Sequence, residues 1–306
     1  MQSSLPYLPI DDVLAEICAG LRDHARLVLA APPGAGKTTR VPLALAGLLG
    51  EAPIIEGKII MLEPRRIAAR MAAQQMANSL GEKLGQSVGL TTRVDRKVSA
   101  ATRVEVITDG LFTRRILSDP ELAGVGAVIF DEFHERRLNS DLGLTLAMEA
   151  QGALRDDLRI LIMSATLDTE KVSSVLGAPV VESQGRQYPV ESKYLGRSQD
   201  RIEDRMAAAV RKALREEEGS ILAFLPGARE IQRTAEQLET VPDKVRVAPL
   251  FGALSPAEQD AAVSPAPEGM RKIVLATDIA ESALTIEGVR IVIDSGLSRV
   301  AEEAAG

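Results

Sequence analysis

Ala31-Pro32-Pro33-Gly34-Ala35-Gly36-Lys37-Thr38 is the stretch on which the reading of this chain turns. It has a small residue, four of any kind, then Gly-Lys-Thr. An apolar β-rich run, Leu27–Ala31, leads into it, and a segment of helical periodicity, Lys37–Leu49, follows. That strand–loop–helix setting makes a glycine-rich string a phosphate-binding loop. Pro32 and Pro33 lack N–H groups and can only shape the entry. The expected donors are the backbone amides of Gly34, Ala35, Gly36, Lys37, Thr38 and Thr39, with glycine at 34 and 36 allowing close approach. Lys37 is predicted to reach the β- and γ-oxygens of a nucleoside triphosphate, and the Thr38 hydroxyl to ligate Mg²⁺. The helix that starts there adds its positive end. The bland alternative is a glycine turn. The bare pattern arises by chance in roughly 2% of chains this long, and the flanking elements lower that further.

Working outward, 306 residues suffice for two medium domains with separate cores. The hydrophobic fraction of 45% and charged fraction of 26% are those of a globular protein in water. No apolar run approaches the roughly 20 residues of a membrane span. The start, Met1-Gln2-Ser3-Ser4-Leu5-Pro6, shows no basic segment followed by an apolar one, so no signal peptide is expected. Cys18 is the only cysteine, which excludes an intrachain disulfide and a Cys-based zinc site. A cytoplasmic location is expected. A net charge of −7 and a pI near 5.2 argue against coating nucleic acid by bulk electrostatics. They leave room for a narrow groove gripping phosphates with a few arginines and amides. With no Trp and 3% aromatics, a base-stacking platform is disfavoured.

Short apolar runs alternate with helical segments along the chain, the α/β pattern. Strands are predicted at Leu27–Ala31, Lys58–Leu62, Ser87–Thr91, Val104–Thr108, Gly126–Phe130 and Arg159–Met163. Several are continuously apolar, as parallel strands covered on both faces are. Helices are predicted at Lys37–Leu49, Pro64–Leu80, Asp141–Ala153 and Thr169–Val175. A polar stretch, Gly185–Arg197, interrupts the pattern. It resumes with an amphipathic helix at Arg201–Glu217 and strands at Ile221–Leu225, Val245–Ala248, Lys272–Ala276 and Arg290–Asp294. The expected organisation is an α/β domain over 1–182, a linker over 183–197 and a second, partial α/β domain over 198–306.

The run ending at Phe130 opens into Asp131-Glu132-Phe133-His134. In a parallel sheet the strand carboxyl ends line the ligand crevice, so Asp131 is expected beside the phosphate loop. One carboxylate can hold Mg²⁺ through water while the next orients the attacking water. An Asp-Glu after a strand is usually only a polar turn; the upstream loop reverses those odds. His134, one of two histidines, is expected to make a functional contact.

Taken in order, Gly34–Thr39, Asp131-Glu132-Phe133-His134-Glu135-Arg136 and Ser164-Ala165-Thr166 resemble the DEAH-box helicases of superfamily 2. Further agreement lies in Leu62-Glu63-Pro64-Arg65-Arg66-Ile67-Ala68-Ala69, Thr108-Asp109-Gly110, Phe224-Leu225-Pro226-Gly227, Leu250–Ser255 and Ala276–Glu281. The resemblance covers nearly the whole chain. It implies two RecA-like parallel-sheet P-loop NTPase domains, the second incomplete, and an ATP-dependent RNA helicase that couples hydrolysis to translocation or unwinding. By this resemblance Lys37, Asp131 and Glu132 are catalytic and Thr38 and Asp131 bind the metal. Ser164 and Thr166, with His134, couple hydrolysis to domain movement. Arg65, Arg66, Thr108 and Thr277 line the RNA path, and Asp294 belongs to the nucleotide cleft. Read alone, Arg65-Arg66 is a solvated helix start and Thr108-Asp109-Gly110 a turn or helix cap. Arg136-Arg137 reads as surface charge.

The chain departs from the family in places. Phe133 stands where most members have Ala, Gln75 where many have Arg, and Val263 where a stacking aromatic is common. ATP or another nucleoside triphosphate is therefore expected, together with Mg²⁺. The later arginine-rich segment of the family does not occur before Gly306, and arginines of that kind are worth roughly 10³–10⁵ in rate. The expectation is thus a truncated chain, a monomer, that binds ATP–Mg²⁺ and is weakly active alone. RNA, single-stranded or a duplex with an overhang, is the expected partner, with DNA open and no membrane. Two alternatives stand beside it: a nucleic-acid-stimulated NTPase that does not unwind, and a nucleotide-dependent binding fragment without turnover.

Overall fold

The computed structural model describes residues 5–165, 169–185, 189–196, 198–277 and 286–299. The chain forms two compact units, Met1–Pro189 and Val190–Gly306.

In the first unit a 3-10 turn, Pro9–Val13, leads into α1 (Leu14–Asp23) and β1 (Arg26–Ala30). Then come α2 (Lys37–Leu45), β2 (Lys58–Glu63), α3 (Arg66–Ser79), β3 (Val88–Thr91), β4 (Arg96–Lys97) and β5 (Val104–Thr108). They are followed by α4 (Asp109–Ser118), β6 (Val125–Phe130), a 3-10 turn (Phe133–Glu135), α5 (Leu138–Ala153), β7 (Arg159–Ser164), α6 (Thr169–Leu176) and β8 (Val180–Glu182). The strands build one eight-stranded sheet in the order β4-β3-β5-β2-β6-β7-β1-β8. Every pairing in it is parallel except the short β3–β4 hairpin.

Strand alternation explains why the central strands are apolar at almost every position. Leu27, Leu29, Ile59, Met61, Ile129, Leu161 and Met163 point to the face covered by α1, α2 and α3. Val28, Ile60, Leu62, Val128, Phe130, Ile160 and Ile162 point to the other face, under α4, α5 and α6. Each fully buried Leu or Ile contributes roughly 1.5–3 kcal/mol, so two covered faces make this sheet the main source of stability. Glycine is required at Gly126 in β6, where a Cβ would stand 1.8 Å from the Glu56 carbonyl oxygen.

The second unit carries α7 (Ile202–Glu216), β9 (Ser220–Phe224), α8 (Ala228–Gln237), β10 (Val245–Leu250), α9 (Pro256–Val263), β11 (Arg271–Ala276) and β12 (Val289–Asp294). Its four strands are parallel, in the order β10-β11-β9-β12. Met206, Ala207 and Val210 of α7 and Ile231 of α8 cover one face with Ile221, Ala223, Ile273 and Leu275. In β12, Ile291 and Ile293 join that core, while Arg290, Val292 and Asp294 are exposed.

The predicted strands are found to within two residues at each end. The helix predicted over Lys37–Leu49 stops at Leu45, because Gly47 turns left-handed at φ 71° and the chain reverses there. The segment 183–185 and 189–196 has no regular structure; Tyr188 and Arg197 lie outside the described residues. Among the described residues no helix is long and apolar enough to cross a membrane.

Candidate active site

The phosphate loop leaves β1 at Ala31, whose amide donates to the Ser164 carbonyl at the end of β7 (3.0 Å). Gly34 and Gly36 take left-handed φ values of 77° and 94°. Gly36 is the N-cap of α2, and a Cβ there would meet Leu8 Cδ1 at 2.6 Å. Nothing lies within 4 Å of a Cβ built on Gly34. Two amides expected to face phosphate are occupied otherwise: Ala35 N donates to the Pro32 carbonyl (3.2 Å) and Thr39 N to the Gly36 carbonyl (3.3 Å). The loop closes on itself through those bonds. The amides of Gly34, Gly36, Lys37 and Thr38, at the open mouth and in the first helical turn, are the ones positioned as donors.

The sheet order puts β6 two places from β1, and Asp131 directly follows β6. Asp131 N donates to the Leu62 carbonyl on β2 (3.2 Å), and its Oδ1 accepts from Glu132 N (2.8 Å). The Thr38 hydroxyl donates to Asp131 Oδ2 at 2.5 Å. Glu132 is in the left-handed region at φ 50°, which aims its carboxylate back at the loop. Its Oε1 accepts from Lys37 Nζ at 2.9 Å, both side chains being about 95% buried. Such an ion pair is charge-assisted and poorly screened.

Burial, Asp131 and then the opposing pull of Lys37 set the Glu132 carboxyl at about 7. Burial alone draws the Lys37 ammonium down, but Asp131 and Glu132 outweigh it and hold it above its usual value. A third acid, Glu63, is the last residue of β2 and 2% exposed. Its carboxyl meets that of Asp131, and burial followed by Asp131 and Glu132 pushes it well above the ordinary range. Its Oε2 has no hydrogen-bond partner. Sequence reasoning gave Glu63 no role, although an acid closing an apolar strand was the signal that singled out Asp131.

His134 completes the turn. Its Nδ1 lies 3.4 Å from Glu132 Oε2 and accepts from Ala165 N at 3.4 Å. A nitrogen that accepts from an amide carries no proton, and burial and Lys37 lower the ring's pKa. The Glu132 contact is therefore not an ion pair. His134 thus meets the backbone of Ala165, the residue between Ser164 and Thr166. Ser164 is buried at the end of β7 with its carbonyl on the phosphate loop, and Thr166 lies outside the described residues.

The remaining expected residues of the first unit sit along the same strand edge. Thr108 ends β5 and is the N-cap of α4, in register with Glu63. Arg65 caps α3 in an extended conformation and Arg66 begins it, exposed. Arg65 Nε lies 3.6 Å from Glu135 Oε1, tying the β2–α3 loop to the acidic turn. Arg136 lies over the Phe133 ring at 5.3 Å and faces Asp141, and Arg137 faces Glu135. In the second unit Thr277 follows β11 and donates its amide to the Leu250 carbonyl (3.4 Å). Asp294 ends β12, exposed, accepting from Gly296 N at 2.8 Å. Gln75 is exposed on α3, whereas Val263 is buried at the end of α9 and offers no stacking surface.

The residues present suit a divalent cation held jointly with phosphate. Thr38 and Asp131 supply two hard oxygens in contact, and the acids outnumber the single ammonium. Among the described residues no group of three or more His, Cys, Asp or Glu forms a cage of its own. Two such oxygens fit a hard divalent cation whose remaining ligands come from substrate oxygens and water.

Two family descriptions match the chain: DEAD/DEAH box helicase over residues 12–175 and Helicase conserved C-terminal domain over 205–304. The ATP-dependent RNA helicase HrpB of Escherichia coli is 52% identical over 297 residues, covering 96% of this chain and 36% of that protein. The ATP-dependent RNA helicase HrpA of E. coli is 37% identical over 301 residues, 96% of this chain and 23% of that protein. A crystal structure of the E. coli DEAH/RHA helicase HrpB superposes with a TM-score of 0.88 at 51% identity, covering 96% of this chain and 38% of the other. The chain thus spans little more than a third of the length of HrpB.

Proposed function

This chain belongs to the DEAD/DEAH box helicase family, and on that premise we propose that it binds ATP, or another nucleoside triphosphate, with Mg²⁺ and couples hydrolysis to movement along RNA. Supporting this reading most directly is the reach between the two motifs: Lys37 to Glu132 at 2.9 Å and Thr38 to Asp131 at 2.5 Å. Phosphate loop and acidic turn are close enough to act on one triphosphate. The names of the matched relatives carry ATP and RNA.

In this reading the amides of Gly34, Gly36, Lys37 and Thr38 hold the phosphates. Lys37 exchanges Glu132 for phosphate oxygens. Thr38 and Asp131 would hold Mg²⁺, which would supply positive charge to offset that of the triphosphate. Glu132, released from Lys37, accepts a hydrogen bond from the attacking water and takes its proton. His134 and the Ala165 amide relay the turn's position to the end of β7, with Ser164 and Thr166 as the coupling segment. Arg65, Arg66 and Thr108 contact RNA from the first domain (1–182). In the second (198–306), Thr277 is assigned to RNA contact and Asp294 to nucleotide contact. The protein works as a monomer in the cytoplasm.

Glu132→Gln tests this. With radiolabelled ATP and single-stranded RNA, the wild-type chain is expected to release phosphate faster with RNA than without. The variant should lose roughly 10²–10⁴-fold in rate, the usual worth of a positioned base, while still binding nucleotide. Equal phosphate release by both proteins would sink the enzyme reading in favour of a binding module. Stimulation without displacement of a labelled strand would favour an RNA-stimulated NTPase that does not unwind.

A further inference from the structure

The proposed reaction gives no task to Glu63, yet it is among the most deeply buried charged groups of the first unit. Its place is set by the fold: β2 lies between β5 and β6, and the bond from Asp131 N to the Leu62 carbonyl puts Asp131 directly beside the end of β2. Arg65, two residues on, turns away to Glu135, so Glu63 is the side chain that β2 contributes to the cation end of the site. A buried carboxyl oxygen left without a partner costs about 1–3 kcal/mol, and Oε2 of Glu63 is such an oxygen. A structural acid of this sheet looks different: Glu105 of β5 takes Lys58, Arg115 and Thr91 as partners. Glu63 has instead another acid, Asp131, as its neighbour.

We infer that Glu63 is a positioning residue for the cation site: it packs against Asp131 and fixes that carboxylate towards Thr38. The argument is steric and directional. Asp131 has two rotatable side-chain bonds, and its Oδ1 is already engaged by Glu132 N, leaving Oδ2 to be aimed. With Glu63 on one side and the Thr38 hydroxyl on the other, Oδ2 is held where a divalent ion meets the phosphate loop. Groups that orient a metal ligand without touching the metal are typically worth 10–100-fold in metal affinity. The inference rests on the proposed nucleotide–cation reading.

The test is Mn²⁺ affinity, followed by electron paramagnetic resonance on the full chain with ADP present, so that no turnover is needed. Glu63→Gln keeps the shape and a polar contact to Asp131 and is expected to bind Mn²⁺ within about two-fold of wild type. Glu63→Met and Glu63→Leu remove the polar contact and are expected to weaken Mn²⁺ about 10-fold or more, with ADP affinity in chelator unchanged. Wild-type affinity in a folded Glu63→Met or Glu63→Leu chain overturns the inference alone. Failure of both to fold assigns Glu63 to the core and overturns it too. A wild-type chain that binds no Mn²⁺ with ADP removes the nucleotide–cation reading itself, and the inference with it.

Discussion

The two parallel sheets bury their polar groups in different places. In the first unit, apart from groups absorbed by structure such as Glu105, a set formed by Lys37, Glu63, Asp131 and Glu132 gathers at or just beyond the strand carboxyl ends, where three acids face one ammonium. In the second, the buried Glu203, Ser220, Thr234, Gln259 and Lys272 are each absorbed by nearby structure. Glu203 accepts from Arg233, joining α7 to α8 (3.0 Å). Ser220 Oγ accepts from Lys272 N, Thr234 donates to the Glu230 carbonyl, and Gln259 donates to the Phe251 and Leu254 carbonyls. Lys272 Nζ donates to the carbonyls of Ala261, Ala262 and Ser264 at the end of α9. An isolated buried charge costs several kcal/mol unless compensated. An unbalanced set therefore marks where a ligand supplies the balance, and a balanced set marks architecture.

Substitution of Lys37 breaks the contrast most severely. Lys37→Ala leaves Glu63, Asp131 and Glu132 without a counter-charge and removes the phosphate partner. Truncating one member of such a buried pair costs about 2–5 kcal/mol. Calorimetric titration should show Mg²⁺–ATP binding weakened by about 100-fold or more; a loss below about five-fold would show that the ammonium is not a phosphate contact.

Acid–base behaviour separates the units next. The folded chain holds the Glu132 proton more tightly than the unfolded chain, since the carboxyl is raised from 4.5 to about 7. The stabilisation this confers is complete below about 4.5 and is lost as pH climbs through about 7. Glu63 acts in the same direction. The ligand-free first unit should lose a few kcal/mol across that window, and Glu132→Gln should flatten the slope. Hydrogen exchange resolved by segment would record it, and an unchanged slope in the variant would place the dependence elsewhere.

In the second unit, Lys272→Met strands three carbonyls and should destabilise that unit by about 1–3 kcal/mol. The effect should appear in melting of that unit, and an unchanged melting temperature would show that the three carbonyls do not depend on the ammonium. The smallest effect is expected from Asp294→Asn. Asp294 is exposed and accepts a turn hydrogen bond from Gly296 N, so unit stability should shift by less than about 0.5 kcal/mol. Weaker ATP binding with unchanged melting would then be the signature of the nucleotide role proposed for it.

The parts visible in the sequence are those with a local cause. Ile59-Ile60-Met61-Leu62 and Ala127-Val128-Ile129-Phe130 read as parallel strands because both faces are covered, and the loop declares itself by Gly34, Gly36 and Lys37. Helix α9 was also visible: Ser255-Pro256-Ala257-Glu258 closes a reciprocal cap, with Glu258 accepting from Ser255 N. The run after that cap lacks a clear apolar stripe, so periodicity does not mark the helix. Helix α4 was hidden by Gly110 in its first turn. The contact of His134 with Ala165 depends on which strand ends are neighbours, here β6 beside β7, and no linear pattern carries that.

The lysine of β11 has a use beyond stability. Buried and wrapped by three carbonyls, the Lys272 amine is shut off from acylating reagents while α9 sits on its sheet. Lys193, with 61% of its side chain exposed, is open to them throughout. Brief treatment with an amine-reactive ester, read by mass spectrometry as the ratio of label at these two lysines, would therefore clock the opening of the second unit with no probe added to the chain.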